Sequence, residues 1–172
     1  MDGGVFPPGT GQCPVRRREP PGSGLIDNCP ASRHERWVQQ FFPYAETTRG
    51  VTVRVAPSYL EDQSDPANRQ FVWSYHIRIE NGGTETVQLI SRHWIITDAR
   101  GRVQEVKGLG VVGDQPTLAP GESFDYVSGC PLATPSGTMQ GSYQMVAEAG
   151  WPFEVTIPLF SLDSPHARTR LN

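Results

Sequence analysis

Phe71, Trp73, Tyr75, Ile77 and Ile79 occupy every second position of one stretch, with Val72, Ser74, His76 and Arg78 between them. An α-helix would scatter these five large side chains around its circumference, whereas an extended chain puts all of them on one face. The stretch therefore predicts a long strand with one buried side, and a strand of this kind demands a second apolar layer to cover it. The same period recurs at Val51, Val53 and Val55, at Phe124, Tyr126 and Ser128, at Met139, Gly141, Tyr143, Met145 and Ala147, and at Phe153, Val155, Ile157 and Leu159. Val87 to Thr97 is apolar on both faces around Trp94-Ile95-Ile96 and reads as a central strand. It is followed by a hairpin at Ala99-Arg100-Gly101 into Val103 to Val106.

Asn81-Gly82-Gly83, Glu148-Ala149-Gly150 and the Pro-Gly turn in Leu118-Ala119-Pro120-Gly121-Glu122 separate these runs, the last with type II character because glycine supplies its positive φ. About seven short strands in about 110 residues are the arithmetic of an all-β, immunoglobulin- or fibronectin type III-like sandwich. The 18 Gly and 16 Pro fit a turn-rich chain, and a length of 172 residues allows one domain with a genuine core plus an appendage.

The appendage is N-terminal. Residues 1 to about 31 hold few large apolar side chains beyond Phe6, Leu25 and Ile26 and cannot build a core. Ser32-Arg33-His34-Glu35 reads as a capping box, with Trp37, Val38, Phe41 and Phe42 as the stripe of a short helix over 33–42 that Pro43 stops. The expected organisation is a weakly ordered extension over 1–49 and a folded domain over 50–172. A formal charge of −3 argues against general nucleic-acid binding. No apolar run reaches the length of a membrane span or follows Arg16-Arg17-Arg18 as an export signal. Cys13, Cys29 and Cys130 are odd in number and have no metal-ligand spacing, so a reducing cytoplasm is the expected setting.

Gly108-Leu109-Gly110-Val111-Val112-Gly113 spells G-x-G-x-x-G, the fingerprint of dinucleotide-binding folds. There the motif opens a helix whose N-terminus holds a pyrophosphate, but Asp114-Gln115-Pro116 follows here and no helical period comes after it. Two readings remain. In one, the glycines are structural and let the chain pass between sheets with positive φ. In the other, successive N–H groups form a nest for phosphate, helped by Lys107 or Arg92, with a cation offsetting Asp114. Arg92 shares a strand face with Trp94, and Ser91 shares the other with His93. His93 more often serves as a hydrogen-bonded surface histidine than as an acid or base, and no partner at fixed spacing makes it catalytic. Glu61, Asp62 and Asp65 read as a solvated carboxylate loop rather than a cation site. Cys130 in Ser128-Gly129-Cys130-Pro131 lacks the helix N-terminus that activates a thiol, and no serine lies in a nucleophile elbow.

From Val51 onward the chain also resembles the ApaG family. The matching blocks are Ser58-Tyr59-Leu60 with Gln63-Ser64, QLISRHWIITD over 88–98, EVKGLGVVGDQP over 105–116, LAPGESF over 118–124, SGCPL over 128–132, GTMQGSYQM over 137–145 and the closing Leu171-Asn172. The resemblance implies a fibronectin-type sandwich in a small bacterial cytoplasmic protein, a loose link to cobalt and magnesium efflux, and an operon shared with a diadenosine tetraphosphate hydrolase. It implies no established reaction, and related domains serve eukaryotic proteins, F-box proteins among them, as interaction modules. Family members have been proposed to bind pyrophosphate-containing ligands through the glycine loop, and they begin near the first strand, so residues 1–50 inherit nothing.

The functional expectation is a non-enzymatic binding module for a nucleotide or polyphosphate, with Gly108, Gly110, Gly113, Lys107 and Arg92 as ligand-binding residues. Mg²⁺ or Co²⁺ would accompany the phosphate, and no cofactor of the protein's own is expected. The alternative is a protein-interaction domain whose sandwich face recruits a partner, which an exposed aromatic cluster near Tyr59, Phe71 or Trp151 would favour.

Overall fold

The computed structural model describes residues 41–170. Nine strands follow one another: β1 (Tyr44–Thr48), β2 (Val51–Tyr59), β3 (Phe71–Asn81), β4 (Val87–Asp98), β5 (Val103–Leu109), β6 (Thr117–Leu118), β7 (Ser123–Leu132), β8 (Ser136–Ala147) and β9 (Pro152–Asp163). They form two antiparallel sheets, one ordered β1-β2-β3-β7 and the other β5-β4-β8-β9, with β6 pairing β4. Short 3-10 turns at Glu61–Gln63, Pro66–Asn68 and Pro165–Arg170 complete the described chain. The alternation in β3 does what it predicts: Phe71, Trp73, Tyr75, Ile77 and Ile79 are all buried against the facing sheet. Burial of a side chain the size of Ile77 or Ile79 contributes about 2 kcal/mol each. Trp94 of β4 meets them from the other layer, 5.3 Å from Tyr75 and 6.1 Å from Phe160 between ring centroids.

Two features depart from the sequence reading, and a third expectation goes untested. The folded sheet starts at Tyr44, inside the stretch assigned to the extension, because β1 pairs with β2 from Tyr44↔Val55 to Thr48↔Val51. This short edge strand keeps its middle residues exposed and carries no apolar alternation to betray it. Second, the chain does not pass between sheets at the glycine loop. It turns back to pair β6 with β4 and crosses only at the Ala119–Glu122 turn, where Gly121 has φ +85° and Glu122 N–H donates to Ala119 C=O at 3.0 Å. Third, the helix expected over 33–42 lies almost wholly outside the described residues.

Side chains close one flank of the sandwich. The Tyr44 hydroxyl lies 2.9 Å from Ser161 Oγ, and Thr156 N–H donates to Thr48 Oγ1 at 3.2 Å, tying β1 to β9. On the other flank the free edges of β5 and β7 face each other across a lateral cleft. Asn81, buried in the β3 end, anchors the loops around it: its Nδ2 donates to Glu85 and Leu118 carbonyls at 2.8 and 2.9 Å, while its Oδ1 accepts from Gly83 N–H.

Candidate functional site

The three glycines of the fingerprint do three different jobs. Gly108 lies opposite Arg92 in the β4–β5 ladder, and a Cβ there would come within 3.2 to 3.4 Å of the Arg92 guanidinium, so the missing side chain is the seat on which that group rests. Gly110 has φ +56°, and a Cβ on it would lie 2.2 Å from the Asp114 carbonyl oxygen, a distance only glycine avoids. Gly113, at φ +89°, shares a two-residue hairpin tip with Val112, at φ +44°. Val111 and Asp114 close this tip by exchanging both backbone hydrogen bonds, at 2.8 and 2.9 Å. Positive φ at both central residues defines a type I′ turn, and a β-branched valine there is under local strain.

This geometry determines what the loop can offer a ligand. The N–H groups of Gly110, Val111 and Asp114 are already paired, with the carbonyls of Ile90, Asp114 and Val111. The N–H groups of Val112 and Gly113 have no acceptor among the described residues. The loop is thus a closed hairpin held from within, and Arg92 is the holder: its Nη1 donates to Leu109 C=O at 2.9 Å and to Gly110 C=O at 2.6 Å. Both Nη1 protons are spent in this way. The Nε and Nη2 edge, the fork that matches a carboxylate or phosphate, has no partner among the described residues. Lys107 does not join it. It projects from the opposite face of β5, where its Nζ lies 3.5 Å from Glu105. Arg92 and Gly108 therefore form one seat, while Lys107 projects from the other face and meets them only along the border of an outward groove.

Arg92 reaches its inward position through a bulge. The β4–β8 register shifts between Leu89 and Ser91, so Leu89, Arg92 and Trp94 all face the interior. The arginine lines the lateral cleft of about 220 Å³ together with Tyr75, Trp94, Val106 and Cys130. Beyond it lie Tyr126 and Tyr143, whose hydroxyls are 2.5 Å apart in the core. Burial pushes the Cys130 thiol up to about 11 and holds the phenols of Tyr75, Tyr126 and Tyr143 above their ordinary value; the Arg92 charge opposes burial at the tyrosines by a smaller amount. These groups are neutral near pH 7, so the cleft offers one cation, several hydroxyls and apolar walls, with no activated nucleophile.

The outward face of the same sheet carries a groove of about 470 Å³ lined by Ser91, His93, Lys107, Ser142, Gln144 and Glu154, with Arg92, Gly108 and Leu109 also at its border. His93 Nε2 is 2.8 Å from Glu105 Oε2, and that hydrogen bond, then Lys107, holds the Glu105 carboxyl below its usual range. Gln144 donates to Glu154 at 2.6 Å. His93 is thus paired with a surface carboxylate at this groove. No three His, Cys, Asp or Glu side chains converge as a metal site among the described residues. Asp65 instead caps the Pro66–Asn68 turn, and hydrogen bonds from Asn68 lower its pKa. Of the aromatic residues that would mark a partner surface, Phe71 is buried and Tyr59 half-buried, and only Trp151 is exposed, with Arg49 5.3 Å over its ring, so the three form no exposed cluster.

The fold and cleft define a class: a two-layer antiparallel sandwich with recesses at its lateral edge and on its outer faces. Within it, the chain belongs to the ApaG family, whose ApaG domain model matches residues 61–147. Protein ApaG of Rhodospirillum centenum is 64% identical over 129 residues, covering 75% of this chain and 99% of the relative. Protein ApaG of Paramagnetospirillum magneticum is 60% identical over the same length and coverage. Among solved structures, one described as an ApaA protein from Bordetella pertussis is 60% identical and superimposes with a TM-score of 0.66 over 69% of this chain and 95% of its own.

The cleft residues Tyr75, Val106 and Cys130 went unread as site residues. Their alternation shows that they face inward, but nothing local says that β5 and β7 are the strands left without neighbours.

Proposed function

We propose that this chain is a non-enzymatic binding module whose ligand is an anion of the nucleotide or polyphosphate class, held at the mouth of the lateral cleft by Arg92. The observation that carries this reading is a half-buried guanidinium that faces the cleft with its Nε/Nη2 fork free and no carboxylate paired to it among the described residues. Gly108 gives that guanidinium its seat, and Gly110 gives it a carbonyl to hold, so the glycines act by positioning the arginine. At the hairpin tip, the Val112 and Gly113 amides are the two loop donors left for a further phosphate. Lys107 lies on the opposite face beside Glu105, along a groove that Arg92 and Gly108 also border. The described side chains do not fit a resident metal, so Mg²⁺ or Co²⁺ would arrive bound to the phosphates.

Calorimetry with pyrophosphate and ATP, with and without Mg²⁺, tests the reading. Saturable binding tighter than about 1 mM is expected, weakened about tenfold or more in Arg92→Lys, which keeps the charge and loses the fork. No saturable heat in any condition would overturn it.

A second reading, an interaction domain using a sandwich face, is favoured by the outer side of the β2-β3-β7 sheet. There Phe41 and Val127, 69% and 59% exposed, border a groove of about 510 Å³. Partner capture that is undiminished by Val127→Asp would count against that face.

A further inference from the structure

The free edge of β5 is built to pair with itself. Gly110 N–H donates to Ile90 C=O and Asp98 N–H donates to Arg102 C=O, so the even-numbered residues of this strand spend their backbone groups on β4. By the alternation of an antiparallel ladder, Val103, Glu105, Lys107 and Leu109 then aim their N–H and C=O groups away from the sheet. Their side chains share the outward face, where Val103 and Leu109 are 61% and 75% exposed. β5 has no proline and no strand beyond it among the described residues, so its edge protection is the charge of Glu105 and Lys107, which blocks like-charge pairings and spares a self-complementary one.

We infer that this edge receives a second copy of the same chain, β5 against β5 antiparallel about a two-fold axis through Val106. The register follows from charge. If both strands are to present outward-aimed backbone groups to each other, the pairing can slide only by two residues at a time. Placing Glu105 opposite Glu105, or Lys107 opposite Lys107, sets like charges face to face, which is destabilising. Centring on Val106 instead sets Glu105 opposite the second copy's Lys107, and Val103 opposite its Leu109. Every outward side chain on the strand then meets its complement, twice by symmetry, and about six backbone hydrogen bonds form besides those at the Leu109 carbonyls, which already accept from Arg92. The two four-stranded layers β5-β4-β8-β9 become one continuous sheet. This inference does not rest on the anion reading, although the Leu109 carbonyl on this edge accepts from Arg92 Nη1 and the edge borders the cleft.

Sedimentation velocity of the full chain over a concentration series tests it, with charge reversals as the discriminating variants. Wild type is expected to dimerise, Glu105→Lys and Lys107→Glu each to raise the dissociation constant about tenfold or more, and the double reversal to restore it. Both singles should keep the wild-type circular dichroism spectrum, and should match the wild-type melt at concentrations where wild type is monomeric, because the residues are exposed and only the dimer adds stability by mass action. A chain that stays monomeric at about 100 μM overturns the inference, as does a dimer insensitive to the single reversals or a double reversal that fails to rescue.

Discussion

Gly110→Ala probes the closed hairpin most sharply, because the cost can be worked from the geometry. The substitution forces an L side chain to a φ of +56° and drives its Cβ to 2.2 Å from the Asp114 carbonyl oxygen. The first effect costs about 1 kcal/mol. The second cannot be relieved by a rotamer change, since the obstacle is backbone, so the Val111–Asp114 bridge must open. Its two hydrogen bonds, at 2.8 and 2.9 Å, contribute about 1 kcal/mol each. The total is about 3 kcal/mol, or a melting temperature lowered by about 9 °C at about 3 °C per kcal/mol. Gly113→Ala is the control: its φ is +89°, but nothing lies within 4 Å of the added Cβ, so only the conformational term of about 1 kcal/mol remains. Urea unfolding followed by circular dichroism measures both. Equal losses in the two variants, or a loss under about 1 kcal/mol in Gly110→Ala, would refute the view that the loop is a closed hairpin rather than an adaptable nest.

Tyr143→Phe leaves the buried Tyr126 hydroxyl without its partner and is expected to cost about 1–3 kcal/mol, while Tyr126→Phe with Tyr143→Phe recovers most of it, in the same unfolding assay. Asn81→Ala removes the donor to two loop carbonyls and the acceptor of Gly83 N–H, for an expected loss of about 2–4 kcal/mol. Stability should fall in alkali: the Cys130 thiol ionises at about 11 in the folded protein. The unfolded thiol ionises near ~8.5. The unfolded chain therefore loses its proton first, and the thiol's contribution, complete below the unfolded value, disappears as pH rises from about 9 through 11; the raised tyrosines extend the loss further up. A melting temperature that is flat or rising across that window contradicts this. His93→Ala is expected to shift stability by less than about 0.5 kcal/mol, since its bond to Glu105 is a surface pair.

The sequence carried the layers well and the site poorly, for a physical reason in each case. Period two is a local signal, so β3 and the inward sets of β8 and β9 were legible from single stretches, as was the common face of Arg92 and Trp94. β1 was not, because an edge strand with an exposed centre needs no apolar pattern. The glycine motif misled by its regularity. Its spacing reads as one device, yet Gly108 is small to seat Arg92, Gly110 to clear Asp114, and Gly113 to reach a type I′ turn. The first two reasons depend on the β4–β5 register and the docking of the loop against Ile90, which are properties of the assembled sheet. The separation of Lys107 from Arg92 is likewise a matter of strand parity once residue 108 is fixed opposite residue 92.

Titrating the ¹⁵N-labelled chain with magnesium pyrophosphate, while following the Arg92 side-chain Nε–H and the backbone amides by NMR, tests the central claim most directly. The account predicts a saturable shift at Arg92 Nε together with the Gly108 and Gly110 amides that frame it. Shifts confined to residues remote from the lateral cleft, or an Arg92 signal unmoved at saturating ligand, would contradict it.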